Sequence, residues 1–270
     1  MSELVKRQHF VPRTYLKHFS KQVGKKYIIN VLPNKAKTKE DVFESNIENI
    51  AMQKHLYTMP GNTIEQKMAI EKFYSVNLES KYDEMYSILT DPNKVDITDD
   101  ERDLIISTVI TMFYRTTKWI NLHNDLMSRT FERVYQMCAI SGKDYFKFED
   151  EKIYLKGRSL EELTKDYNKE QQPLMILTQL EVAMKLISLR TNNFDSITVT
   201  QLGNEKDEFI TSDNPVSVSN EHNQHVMPFD PTNIMRLPLD NKHALILMPN
   251  GLKEFKNKIF RYNVKESISS

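Results

Sequence analysis

Glycine is scarce in this chain, with six in 270 residues, at positions 24, 61, 142, 157, 203 and 251. That is about a third of ordinary usage, and no two of them are close together. A Gly-x-Gly-x-x-Gly turn and a Walker phosphate loop both need clustered glycines for the backbone to approach phosphate, so both motifs are excluded and the commonest nucleotide folds are not expected. Cysteine occurs once, at Cys138, so no disulfide can form within one chain. The opening Met1-Ser2-Glu3-Leu4-Val5-Lys6 lacks the apolar core of a secretory signal, and no run of about eighteen apolar residues offers a membrane span. A reducing cytoplasm is the expected location. Charge of one sign is also lacking: 37 basic side chains face 37 acidic ones. Any attraction for nucleic acid must therefore be local.

One stretch organises the rest. From Thr98 to Gly142 there is no Pro or earlier Gly, and Ile105, Val109, Met112, Thr116, Ile120, His123, Met127, Phe131, Val134 and Cys138 recur at helical steps. Thr98 and Glu101 form a capping box at one end, and Gly142 closes the other. Unbroken, this helix would be roughly 60 Å long, more than a domain of this size spans, so a kink or break is expected. Cys138 lies on its apolar stripe and reads as a small buried hydrophobe.

The other elements follow in order. Pro12 opens a short helix with Tyr15, Leu16 and Phe19 on one face, and Lys26–Leu32 reads as a strand. Asn46–Tyr57 is a short amphipathic piece. Thr63 caps a helix running to Asp91 and stopped by Pro92. Residues 143–172 form an excursion with a strand near Lys152–Leu155, and Pro173 opens a third helix over Leu174–Arg190. Beyond Asn193 the pattern changes to strands: Ser196–Leu202 with Glu208–Thr211 as its hairpin partner, then Gln224–Met227, Met235–Leu239 and Ala244–Met248. A basic helix after Gly251 carries Lys253, Lys256, Lys258 and Arg261. The expected fold is α+β, a helical lobe built on the long central helix and packed against a small, mostly antiparallel sheet. It reads as one domain with two lobes, a helical one over about 60–193 and an α+β one from 1–59 and 194–270.

Three segments carry a resemblance. His9-Phe10-Val11-Pro12, with Tyr15, Leu16 and Phe19, matches the opening pattern of domain-of-unknown-function family 4238, an uncharacterised bacterial family. Phe209-Ile210-Thr211-Ser212-Asp213-Asn214-Pro215-Val216 and Leu237-Pro238-Leu239 resemble it again, and Phe113-Tyr114-Arg115-Thr116 is similar to its Arg-Thr element. The resemblance implies a fold and a bacterial, cytosolic origin, and carries no established activity.

Those motifs hold the candidate site residues. His9 titrates near neutrality, and Asp213 is a carboxylate at a strand end, so these two are the catalytic candidates. Arg13, Arg115, Ser212 and Asn214 are the binding candidates, the arginines because guanidinium holds phosphate bidentately. Together they would suit a phosphoryl or phosphodiester group. Each also has a structural reading. Ser212-Asp213-Asn214-Pro215 is what a tight turn needs, and His9, just ahead of a helix, reads equally as its cap. Arg115, inside a buried helix, requires a carboxylate; if Asp213 supplies it, the constellation is an internal clamp.

No metal site is expected. Glu221-His222-Asn223-Gln224-His225 places two histidines three apart with no further ligands nearby, and Glu79-Ser80-Lys81 reads as a solvated helix face. The cofactor is left unknown. The N-terminal forty residues carry ten basic side chains interleaved with Phe10, Tyr15, Phe19 and Tyr27, a candidate surface for a nucleotide or nucleic acid. Two functions follow: binding or processing of a phosphate-containing substrate, or a non-catalytic protein-interaction component of a bacterial defence or stress system, such as phage defence.

Overall fold

A computed structural model of the chain describes residues 4–148, 151–155, 157–220 and 226–264. Two compact units emerge, Met1–Thr116 with Leu180–Ser270, and Thr117–Gln179. Each is taken by itself.

The first unit opens with β1 (Arg7–His9), then α1 (Arg13–Leu16), β2 (Lys21–Val23), β3 (Lys26–Val31), β4 (Phe43–Asn46) and β5 (Met52–Lys54). β1 pairs antiparallel with β5, and β2-β3-β4 form a separate antiparallel sheet. Within the Asn46–Tyr57 piece, Ile47–Asn49 makes one tight 3-10 turn and Met52–Lys54 supplies β5. Next come α2 (Ile64–Lys67), α3 (Ala69–Asn77) and α4 (Tyr82–Thr90). The expected single helix from Thr63 to Asp91 is thus broken at Met68 and Leu78. At the second break the Asn77 amide turns back onto the Phe73 carbonyl, and a 3-10 turn over Glu79–Lys81 re-aims the chain.

α5 (Asp99–Tyr114) follows, with the Thr98–Glu101 capping box formed as expected. Ten of its sixteen residues are buried, so it is apolar on most sides and runs through the unit's core. The long helix does break. Arg115 and Thr116 bend, and α6 (Lys118–Ser141) begins afresh. The Arg115 carbonyl, which a continuous helix would point at residue 119, instead accepts the buried Tyr57 hydroxyl.

α6 belongs to the second unit and ends at Gly142, whose φ of 68° is the left-handed cap that favours glycine. β6 (Tyr145–Phe148) and β7 (Glu151–Tyr154) form an antiparallel hairpin. Phe131 of α6 meets Phe146, Phe148 and Tyr167 at centroid distances of 4.9–5.8 Å, an aromatic core for this small unit. α7 (Leu160–Asn192) starts well before Pro173 and carries it inside. An internal proline costs about 3 kcal/mol. Leu163 before it and the buried stripe of Ile176, Ala183 and Leu186 after it anchor the helix on either side.

The last part of the first unit is a five-stranded sheet made of β8 (Ser196–Leu202), β9 (Ser217–Ser219), β10 (Ile234–Pro238), β11 (His243–Met248) and β12 (Ile259–Val264). Its order is β12-β8-β11-β10-β9, antiparallel except for β12 against β8. Two expectations need correction. Glu208–Thr211 forms no strand, and the partners of β8 are β11 and β12. The basic helix after Gly251 is a short 3-10 turn followed by strand β12, because Ile259 and Val264 flank a run whose Arg261 side chain turns in to cap the carbonyls of Leu89 and Lys94. The Gln224–Met227 strand falls mainly outside the described residues. Gly251 itself is required: a Cβ there would meet the Phe194 carbonyl oxygen at 2.2 Å. The fold is α+β, as expected.

Candidate functional site

The site begins with how β1 is held. Gln8 is buried and its side-chain oxygen accepts the Tyr57 N–H at 2.7 Å, while the Arg7 guanidinium donates to the Glu48 carbonyl at 2.9 Å and to Asn49 at 2.8 Å. These bonds fix residue 9 beside α3. The His9 carbonyl accepts Nη2 of Arg115 at 2.5 Å, and the same nitrogen donates to Glu79 at 3.0 Å. Arg115 is 1 % exposed, and its guanidinium lies 4.6 Å from the Tyr74 ring centroid and 5.9 Å from that of Tyr57. Two aromatic faces and one carboxylate thus replace the water this cation gives up.

Above this floor opens a cleft of about 570 Å³, lined by His9, Arg13, Glu71, Lys72 and Glu79 among others. Two of its titratable groups, His9 and Glu71, are displaced from their ordinary values. Burial lowers His9 below its ordinary value, and Arg13 lowers it further; Glu79 and the backbone of Glu48 and Ile47 pull the other way. Burial raises the Glu71 carboxyl to about 7, with the nearby Glu79 carboxylate adding to the rise and Arg115 and Arg13 opposing it. The Nε2 of His9 and the Oε2 of Glu71 are both buried without a hydrogen-bond partner. Buried polar atoms are nearly always satisfied, so these two mark a place where a ligand or water belongs. Arg13 sits at the rim. Its ion pair with Glu48 at 3.5 Å joins two side chains more than half exposed and holds it weakly.

The Glu71 carboxyl gives a direct check. Its value of about 7 stands above the ordinary 4.5, so Glu71 contributes stability that is fully present below pH 4.5 and lost as pH rises through about 7. In Glu71→Gln that decline should flatten, with the melting temperature changing less than the parent's between about pH 5 and about pH 8. Equal slopes in the two proteins would put the Glu71 carboxyl back in the ordinary range.

Of the six residues singled out by sequence, His9 and Arg13 line this cleft and Arg115 lies beneath it. Ser212, Asp213 and Asn214 do not line it. They form a self-contained turn in which the Asn214 N–H donates to Ser212 Oγ at 3.1 Å and its amide to Asp213 at 3.1 Å, with Ser212 and Asp213 exposed. The neighbouring Thr211 hydroxyl is 2.5 Å from the Tyr15 hydroxyl. The carboxylate partner of Arg115 is Glu79, not Asp213, which also corrects the reading of Glu79-Ser80-Lys81 as a solvated face. Glu71 was missed. Its signal is a carboxylate between Ile70 and Tyr74, both buried, on the inner side of a helix. Among the described residues no three His, Cys, Asp or Glu side chains converge to hold a metal ion. His222 and His225 lie outside the described residues.

An α+β protein with a charged cleft set over a buried arginine is what fold and geometry define. The chain belongs to DUF4238, a family of proteins of unknown function, which it matches over residues 7–267. No curated protein and no solved structure matches it. No helix among the described residues is long and apolar enough to cross a membrane.

Proposed function

We propose that the protein binds a phosphate-containing ligand, a nucleotide or nucleic acid, in the His9 cleft and processes it by proton transfer. The observation that supports this reading is the pair His9 and Glu71, which face one cleft with unpartnered buried atoms and are both displaced from their ordinary titration ranges. A neutral imidazole accepts a proton and a protonated carboxyl donates one, the complementary roles of acid–base catalysis at neutral pH. Arg13 and Lys72 at the same cleft supply the anion-binding charge. Arg115 positions the floor rather than touching the ligand. A reducing bacterial cytoplasm suits the single buried cysteine.

The test is calorimetric titration of mononucleotides, short oligonucleotides and inorganic phosphate into the parent, Arg13→Ala and Glu71→Gln proteins. Arg13→Ala is expected to bind about tenfold more weakly or worse, the worth of one charge-assisted hydrogen bond. Glu71→Gln is expected to retain binding and lose turnover. If no phosphate compound binds the parent, the reading is wrong.

A second reading is a non-catalytic interaction protein. It is favoured by α6, on which Leu122, Leu126, Met137 and Ile140 are all more than half exposed and fall within about 60° of one another around the helix. The same titration separates the two, since an interaction protein of this kind would take up none of the ligands.

A further inference from the structure

The His9 cleft has a neighbour. A second cleft of about 280 Å³ is lined by Arg13, Thr14, Lys17, Lys25 and Tyr27, and it shares Arg13, Glu48 and Glu79 with the first. The two therefore meet at Arg13. Their chemistry differs. The first holds the proton-exchanging groups, whereas the second holds an aromatic ring among cations. Tyr27 is half-buried on β3, with the Lys17 ammonium 5.8 Å from its ring centroid, and the Lys25 side chain is exposed at the cleft mouth. The Thr14 hydroxyl on its wall is buried with no hydrogen-bond partner. Of the four aromatic residues interleaved with the N-terminal lysines, Tyr15 is committed to the core, where it packs on Phe19 and Tyr82. Only Tyr27 of the four lines either cleft.

We infer that the second cleft seats the base of a nucleotide unit on Tyr27, with Arg13 holding its phosphate at the junction and the reacting bond in the His9 cleft. This rests on the proposed function above and narrows it from phosphate compounds at large to nucleotides. A flat aromatic ring flanked by cations is what base and phosphate recognition require together, and a sugar phosphate would leave the ring unused. Stacking on one face tolerates any base, so Tyr27 supplies affinity, and the Thr14 hydroxyl, with the Asn46 amide on the same wall, is available to read a base or ribose edge. Size sets the limit. At about 280 Å³ the cleft falls at the bottom of the range for small-molecule sites and admits one nucleoside, not a duplex. The unit is either a free nucleotide or the end residue of a single strand.

The experiment titrates parent, Tyr27→Leu and Tyr27→Phe proteins with three probes: ribose 5-phosphate, 2-aminopurine riboside 5-monophosphate, and a short single strand ending in 2-aminopurine. Affinity is read by calorimetry and stacking by quenching of 2-aminopurine fluorescence. The parent is expected to bind at least one aminopurine probe about tenfold or more tighter than ribose 5-phosphate, with quenching. Tyr27→Leu should lose both the advantage and the quenching while keeping its affinity for ribose 5-phosphate, and Tyr27→Phe should restore them. Which aminopurine probe binds tells a free nucleotide from a strand end. Equal affinity of the parent for all three probes, or an advantage that survives in Tyr27→Leu, overturns the base seat and leaves the phosphate reading standing. If none of the three binds the parent, both fall.

Discussion

Replacing Glu71 and Glu79 together by glutamine is expected to destabilise the protein by about 3–5 kcal/mol at neutral pH, while either replacement alone costs much less. The reason is the cation beneath them. Arg115 is 1 % exposed and ion-paired to Glu79, so a single negative charge is enough to keep it tolerable there. With Glu79 ionised, Glu71 is held protonated into the neutral range, and removing its charge removes little. With Glu79 neutralised, one of the two influences that raise Glu71 is gone and Arg115 remains to lower it. Glu71 then shifts toward its ionised form, and that charge acts on the Arg115 cation in place of the one removed. Only the double variant leaves a buried guanidinium with no carboxylate in reach, and its remaining donors have nothing better than the His9 carbonyl. Urea denaturation of the four proteins makes a double-mutant cycle. Costs that simply add would mean the two carboxylates do not share the cation.

The second large effect concerns another buried ion pair of the same unit. Arg190 and Asp195 are both 0 % exposed and joined at 2.5 Å, with Arg190 also donating to the Asn233 carbonyl at 2.7 Å. Burial pushes the Asp195 carboxyl up to about 6 against the pull of Arg190 and Arg102, which still leaves it ionised at neutral pH. Asp195→Ala is expected to cost on the order of 3–5 kcal/mol, since it strands a fully buried cation. Asp195→Asn, which keeps an acceptor, should cost less. The main-chain carbonyl of Asp195 also accepts Nη1 of Arg102 at 2.6 Å and survives either change, so the loss reports the side-chain pair. A cost under about 1 kcal/mol would mean that Arg190 finds equivalent partners elsewhere.

What was legible in the sequence was local. The Thr98 capping box, the Gly142 cap, β8 and β11 all announce themselves within a few residues, because capping and side-chain alternation are short-range effects. The overlong helix also foretold its own break, though not its position, since the Tyr57 hydroxyl that occupies the Arg115 carbonyl comes from 58 residues away. The site shows the same division. His9 and Arg13 were visible in the opening motif. Glu79 was assigned to solvent because its partner is 36 residues distant, and Asp213 was offered in its place from residue type alone. β12 was read as a helix from its lysines, where parallel pairing with β8 decides otherwise.

Arg115 grips the main chain of residue 9, not its imidazole, and β1 is joined to β5 through backbone bonds. The backbone at position 9 is therefore held by bonds that do not pass through its own side chain. A conservative replacement of the imidazole leaves those bonds in place, so the frame of the cleft and the group it presents can be varied separately.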